Sequence, residues 1–239
     1  MEIATLLHIL LVPDTAVAAV LVAAWVITGW LVERPPAKHP SVASLMADHR
    51  RNWMVNHLTR DPRVTDALLL GSLREGTAFF ASACLIALGG GLALIGNTER
   101  LDRVAEELML APTPAILWEI KILLPLLFIT NAFLKFVWAN RVFGYCCVMM
   151  GAIPNDPNAP EATSRAETAA ELNIEAAKAF NRGLRSVYFA LGALGWLFGP
   201  IGLAVTTGLT ILTVWQREFN SRSRRVLIRA QRGEPIVRK

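Results

Sequence analysis

The sequence predicts an all-α membrane protein with four hydrophobic helical segments, helices that extend beyond the bilayer, and amphipathic connecting helices. Hydrophobic residues make up 54% of the 239 residues and charged residues only 18%, which is more apolar than a soluble core of this size requires. The mean hydropathy of +0.42 agrees with this. The apolar residues are concentrated in four blocks, each close to the ~20 residues that cross a bilayer. One helical membrane domain over residues 1–239 is therefore expected.

The four blocks are expected to be membrane spans and cover about residues 15–32, 76–96, 115–138 and 186–214. The first block could be mistaken for a signal peptide. However, no Lys or Arg precedes Arg34, and Glu2 and Asp14 are acidic, so the basic region of a signal peptide is missing. We therefore expect this block to be retained as a span.

The segment that follows the first span has the pattern of an amphipathic helix. One helical face contains Val42, Leu45, Met46, His49, Trp53 and Asn56. An aromatic residue on this face, with Arg50 and Arg51 beside it, suits a helix at the headgroup level of the membrane. Asp61 is a good N-cap and Pro62 suits the first helical position. The next helix is therefore expected to run from Pro62 to Gly96.

Further helices are expected in the other polar segments. A short one should follow Asn97, and an alanine-rich one should run over 161–180 after the breaker at 152–160. In the alanine-rich helix, Glu161/Arg165 and Glu175/Lys178 are spaced for ion pairs, and small residues form a narrow face. The tail is expected to form a basic helix over 215–232. Much of the net charge of +5 lies in this tail, which indicates a basic tail rather than a nucleic-acid-binding domain.

The orientation in the membrane depends on the fourth block. With four crossings, residues 33–75 and 139–185 lie on one side with 12 Lys and Arg, and the 97–115 loop and the tail lie on the other with 10. The positive-inside rule then does not decide the orientation. If the block, which Gly199-Pro200 interrupts, were a re-entrant hairpin, the numbers would be 20 and 2. A proline kink in a crossing helix is the commoner case, so the hairpin is the alternative.

The third span carries polar residues that are candidates for a transport path. Lys121, Asn131 and Lys135 share one broad helical face, and ionisable groups at membrane depth are candidates for function. Such a cationic face suits an anion. The alternative is that both lysines, about 10 Å from the middle of the span, extend to the headgroups.

Small residues form a stripe on the second span and another in the fourth block. The stripes consist of Ala83, Ala87 and Gly91, and of Gly192, Gly195, Gly199 and Gly202. Small residues let helix backbones approach closely in lipid. The stripes therefore indicate a self-association or pore-lining face, or packing within one subunit.

The cluster of histidines, acids and arginines before the second span does not have the pattern of a catalytic or metal site. His49 and His57 are eight residues apart, about 12 Å along a helix, which is too far for one metal. Ser72 and Ser82 lie in no nucleophile motif, Cys84 has apolar neighbours, and the adjacent Cys146-Cys147 have no ligand spacing. We therefore predict no catalytic residue, no metal and no cofactor.

Four stretches of the chain resemble the successive signature blocks of domain-of-unknown-function family 599, a group of bacterial and plant integral membrane proteins. The stretches are HRRNWMVNHLTRDPRVTDALLLGSLREGTAFFASACL, KFVWANRVFGYCCVMMGAIP, AFNRGLRSVYFALGALGWLFGP and WQREFNSRS, spread from about Leu45 to Ser223. The resemblance implies a four-span helical fold and membrane residence. It implies no reaction.

The motif blocks bring together charged and aromatic residues near the ends of the spans. As a candidate polar layer on one membrane face we predict His49, Arg50, Trp53, Asp61, Asp66, Arg74, Arg141 and Arg185. Asp61, Asp66 and Arg74 lie close to the start of the second span. We expect this group to face Arg141 and Arg185 and to form ion pairs that fix the bundle.

Three classes of function remain. The first is a self-associating scaffold or accessory protein of a bacterial inner membrane, with the lipid bilayer, further copies of itself or another membrane protein as partners, and without enzymatic activity or nucleic-acid binding. The second is a homo-oligomeric channel or transporter lined by the third span. The third is a membrane enzyme that uses the His/Asp/Arg cluster.

Overall fold

The computed structural model describes residues 14–96 and 115–233, and this part of the chain is helical without a β-strand. The predicted all-α fold is confirmed. The short helix expected after Asn97 lies outside the described residues. The described α-helices are α1 (Asp14–Glu33), α2 (Val42–His57), α3 (Val64–Ile95), α4 (Ala115–Gly151), α5 (Ala162–Ala193), α6 (Gly199–Phe219) and α7 (Arg222–Gln231), with a 3₁₀ segment, Leu194–Phe198, between α5 and α6.

Four helical stretches are long and apolar enough to cross a membrane, which indicates a multi-pass membrane protein. They are Asp14–Glu33, Val64–Ile95, Ile116–Gly151 and Ala162–Gln231. Helices α3 and α4 have 32 and 37 residues, or about 48 and 55 Å at 1.5 Å per residue. Both exceed the ~30 Å of the hydrocarbon layer, so both extend beyond the bilayer, as predicted.

The chain divides into two compact units. Unit 1 comprises Met1–Trp30, Ala83–Ala132 and Leu184–Trp215, and unit 2 comprises Leu31–Ser82, Phe133–Gly183 and Gln216–Lys239. The segments of unit 2 hold 20 of the 24 Lys and Arg residues. Unit 1 therefore contains most of the apolar blocks, and unit 2 most of the positive charge.

The described core of unit 1 is aromatic. Phe128 of α4 meets Trp25 of α1 edge-on, with ring centroids 5.5 Å apart, and Phe189 of α5 at 6.2 Å. Such pairs favour edge or offset geometry. Phe128 thus links three of the four apolar segments.

Within unit 1 the fourth apolar block folds back on itself. Thr206 Oγ1 donates a hydrogen bond to the carbonyl of Gly192 over 2.6 Å. In a straight helix, residues 14 apart are about 21 Å apart, so the end of α5 and the start of α6 are antiparallel arms. The chain reverses through Leu194–Phe198 and Gly199, whose φ of 84° suits only glycine without strain. The block has the hairpin form, which the sequence left as the alternative, and not that of a kinked crossing helix.

The core of unit 2 forms around the alanine face of α5. This face packs with Met54, Leu70 and Phe143, which confirms the predicted narrow face of small residues. The predicted ion pairs of this helix also form, Arg165 with Glu161 at 2.7 Å and Lys178 with Glu175 at 2.6 Å. The buried alanines are Ala162, Ala166, Ala169, Ala170, Ala176 and Ala179.

Two helix boundaries in unit 2 differ from the prediction. Helix α3 begins at Val64 rather than Pro62, since the Arg63 carbonyl accepts the first helical amides, and the Asp61–Pro62 peptide is cis. The tail is not one helix over 215–232. Helix α6 ends at Phe219, and Ser221 caps α7 by accepting a hydrogen bond from the Arg224 amide over 3.1 Å. Serine competes with helical backbone bonds and favours such a cap.

Candidate functional site

A buried carboxylate, Asp66, is the centre of a polar site in unit 2. Its side chain is 0% exposed. Trp53 Nε1 donates to Oδ1 over 2.7 Å, the guanidinium of Arg60 also bonds Oδ1, and His57 Nδ1 lies 2.7 Å from Oδ2. We call Trp53, His57, Arg60 and Asp66 the Asp66 cluster.

The local sequence explains how these four side chains meet. Trp53 and His57 are four residues apart on α2 and therefore lie on one face of it. The short connection after α2 carries Arg60 and places Asp66 in the first turn of α3. Burial of a charge is costly unless charged and hydrogen-bonded partners offset it. Here one cation and two ring N–H groups do so.

The hydrogen bond to Asp66 fixes which ring nitrogen carries the hydrogen in neutral His57. A carboxylate accepts, so Nδ1 carries the hydrogen and Nε2 keeps its lone pair. The ring is 3% exposed and lines a cavity of about 290 Å³. The Nε2 edge of the ring is therefore free to meet a bound molecule.

A second network in unit 2 runs from Arg50 through Asn173 to Cys146. The Arg50 guanidinium bonds the side-chain oxygen of Asn173, the Asn173 amide lies 3.8 Å from Cys146 Sγ, and Sγ contacts the Ala169 carbonyl at 3.3 Å. Burial lowers the pKa of Arg50 from its ordinary value. Arg50 is partly buried and bonded within unit 2; the contact with lipid phosphates that the sequence indicated stays a prediction.

Two other residues of α2, Arg51 and His49, differ in whether they have protein partners. Arg51 Nε bonds Glu171 at 2.8 Å, which raises the pKa of Arg51, and its guanidinium bonds Asp48 at 3.1 Å. His49 Nε2 is buried and takes no hydrogen bond from the described residues. The residues that the sequence placed at the membrane surface, Trp53 and Arg50-Arg51, have side-chain partners within unit 2. Their membrane-surface role stays a prediction.

The ion pairs expected for the polar layer are wrong. Asp66 is bonded by its own segment, and Asp61 is exposed. Arg74 Nε donates to Asn140 over 3.4 Å, and Arg141 donates to the Tyr145 hydroxyl. The prediction paired Asp66 with Arg141 and Arg185. It missed the actual partners His57 and Arg60. The spacing of Trp53 and His57 was the available signal.

In unit 1 the polar residues of the third span have partners inside the chain. Asn131 Nδ2 donates to Ser186 Oγ over 2.7 Å, and Lys121 Nζ lies 5.2 Å from the centroid of the Trp118 ring. Arg185 is 6% exposed. Lys135, which the sequence placed in the same path, is half-buried and belongs to unit 2.

The two small-residue stripes differ in what they contact. In α3, Gly91 faces the side chain of Leu126, whereas Ala83 and Ala87 are exposed. In the hairpin, Gly195 and Gly202 face each other, and Gly192 faces Thr206 and Thr210 while Gly199 makes the turn. The second stripe is therefore used for packing within one chain, and the first is only partly used.

Among the described residues no group of three or more His, Cys, Asp or Glu could hold a metal ion. The three cysteines are unpaired; Cys84 and Cys146 are buried and Cys147 is partly exposed. With the groups present, the Asp66 cluster can hold a polar part of a molecule by hydrogen bonds.

A family model described as a protein of unknown function, DUF599, matches residues 16–223. The chain belongs to the DUF599 family. The match extends over both units and includes the seven described helices except the first two residues of α1 and the last eight residues of α7. No curated protein and no solved structure matches this DUF599 chain.

Proposed function

We propose that this DUF599 protein is a self-associating scaffold of a bacterial inner membrane and has no enzymatic activity. The observation that carries the proposal is the outward face of α3. Only 6% of the most apolar stretch of α3 is buried. Ala83, Ala87 and Gly90 lie on one exposed face of this helix. An added Cβ on Gly90 would meet nothing within 4 Å.

Such a face supports association because small residues let a second helix approach closely. Lipid offers no hydrophobic drive for helix association, so close packing is the main gain. Residues 83, 87 and 90 are spaced by four and three, which keeps them on one side of the helix. A second copy would bring an identical stripe. The proposed partners are the bilayer, further copies of the chain and another membrane protein, and no nucleic acid.

The contacts in unit 1 favour a scaffold over a channel or transporter. A path along the third span would need Lys121 and Asn131 to face it. In the described chain these two side chains engage Trp118 and Ser186. An anion path would have to displace both contacts.

The test is the oligomeric state in lipid nanodiscs, measured by native mass spectrometry. We expect a dimer or larger assembly for the unmodified protein. Gly90→Leu fills the stripe without a clash in the single chain, and it should weaken association at least about tenfold, or about 1.4 kcal/mol. Leu85→Phe, on the opposite face of α3, is the matched control because Leu85 is already large and 53% exposed. A monomeric unmodified protein, or equal association of both variants, would sink the proposal.

A further inference from the structure

The cavity beside the Asp66 cluster has the walls of a small ligand site. Its volume of about 290 Å³ lies near the lower end of the range for ligand pockets. Most of the wall is apolar, with Leu70, Met150 and Ile153 among the contributors. The polar lining residues are His57, Arg63, Cys147 and Asn155. All of these residues belong to unit 2.

His57 presents a fixed polar edge to this cavity. Its ring is 3% exposed, and Nδ1 is held by Asp66 at 2.7 Å. The Nε2 atom takes no hydrogen bond from the described part of the chain.

Arg63 gives the cavity a positive charge that is held in place. Its guanidinium donates to the carbonyls of Ile153, Leu58 and Pro154 over 2.9 to 3.2 Å. A guanidinium has five N–H groups, so up to two are left for another acceptor. No Asp or Glu lines the cavity, and no ion pair of Arg63 forms within the described residues. The charge of Arg63 is therefore not neutralised there.

We propose that this cavity binds a small amphiphile with one carboxylate and a short apolar chain. The carboxylate accepts from Arg63 and from the side-chain amide of Asn155, away from the Nε2 lone pair of His57, and the chain lies against Leu70, Met150 and Ile153. A medium-chain monocarboxylate such as octanoate has this chemistry. Because α3's outward stripe plays no part in it, the inference goes beyond the scaffold role and does not depend on it.

Cys147 provides a direct measure of occupancy, since its side chain lines the same cavity. Cys84→Ala and Cys146→Ala leave Cys147 as the single thiol of the full chain. The protein is placed in nanodiscs of zwitterionic lipid, and the rate of Cys147 alkylation by N-ethylmaleimide is followed by intact mass. With octanoate at about ten times its dissociation constant, about nine-tenths of the cavities are filled and alkylation slows about tenfold. Octanol and octylammonium are the neutral and cationic comparisons.

A variant with a filled cavity separates binding from unspecific effects of the amphiphile. Ala67 lines the cavity but is exposed, so Ala67→Phe occupies space without entering the core. Its neighbour Leu68 is 69% exposed and does not line the cavity, so Leu68→Phe is the matched control. Protection by octanoate alone, kept in Leu68→Phe and lost in Ala67→Phe, supports the proposal. Protection by octanol or octylammonium to the same degree, protection that persists in Ala67→Phe, or none at all overturns it.

Discussion

Removal of the buried carboxylate of Asp66 should be among the most damaging single changes in unit 2. In Asp66→Ala, three donors lose their shared acceptor: Trp53 Nε1, His57 Nδ1 and the guanidinium of Arg60. The ring of His57 is only 3% exposed, so this donor cannot turn to water without unpacking α2. Asp61→Ala is the matched control, because Asp61 is an aspartate of the same segment that is exposed.

The size of the effect follows from the partners. Each hydrogen bond to a charged group contributes about 1.5–3 kcal/mol. The sum for three bonds, about 9 kcal/mol, is an upper limit because their contributions are not additive. Arg60 is 37% exposed and can regain water, so its share is reduced by solvent screening. Loss of one partner of a buried pair costs about 3–5 kcal/mol, and we expect this range for Asp66→Ala. For Asp61→Ala we expect a change within about 0.5 kcal/mol.

Hydrogen exchange reports this loss where it occurs. A loss of 3–5 kcal/mol raises the opening constant of the segment by a factor between about 100 and about 4000. Amides of α2 and of the first turns of α3 should therefore exchange faster by about that factor in Asp66→Ala, measured by mass spectrometry in nanodiscs. Asp66→Asn keeps an acceptor for Trp53 but not the charge, so its exchange should lie between that of the alanine variant and that of the unmodified protein.

Equal exchange in Asp66→Ala and Asp61→Ala would refute the reasoning. It would mean that the cost of burying the carboxylate cancels what its three partners contribute. An effect spread evenly over unit 1 and unit 2 would also count against it, since the contacts of Asp66 are local to α2, the following turn and α3.

Two further predictions concern the hairpin. Gly195→Ala places a Cβ against Thr206 Oγ1 and 2.8 Å from the Gly202 carbonyl. This overpacking should lower the free energy of unfolding by about 1–3 kcal/mol, or Tm by about 2–10 °C. In Gly208→Ala the added Cβ meets nothing within 4 Å, so that variant should lose much less stability. If the thermal scans of the two variants coincide, the arms are not packed as described. Fluorescent-protein fusions at the 152–160 breaker and at the C-terminus should both fluoresce, since the hairpin returns the tail to the side it left; a dark C-terminal fusion beside a fluorescent one at the breaker would contradict the hairpin.

Features with a local period could be predicted from the sequence. The apolar blocks, the alanine face of α5 and the pair Glu161–Arg165 depend on residues one or a few turns apart, so spacing alone determines them. The partners of Asp66 could not be predicted in the same way. They lie six to thirteen residues away across a turn, and the direction of the chain through that turn decides which cations and rings arrive. Asp61 and Asp66 therefore looked alike in the sequence, and only one is buried.

The fourth block shows why periodicity was not enough to decide the topology. On a straight helix Gly192, Gly195 and Gly202 share one face, so the stripe fits a crossing helix as well as a hairpin. The hairpin is favoured because the second half of the block offers a complement to the first, with Thr206 donating to the carbonyl of Gly192, and because glycine at 199 permits the reversal. If this hairpin is re-entrant, the polar segments hold 20 Lys and Arg residues on one side of the membrane and 2 on the other. The positive-inside rule, undecided for four crossings, then favours a cytoplasmic location for the polar segments and the basic tail.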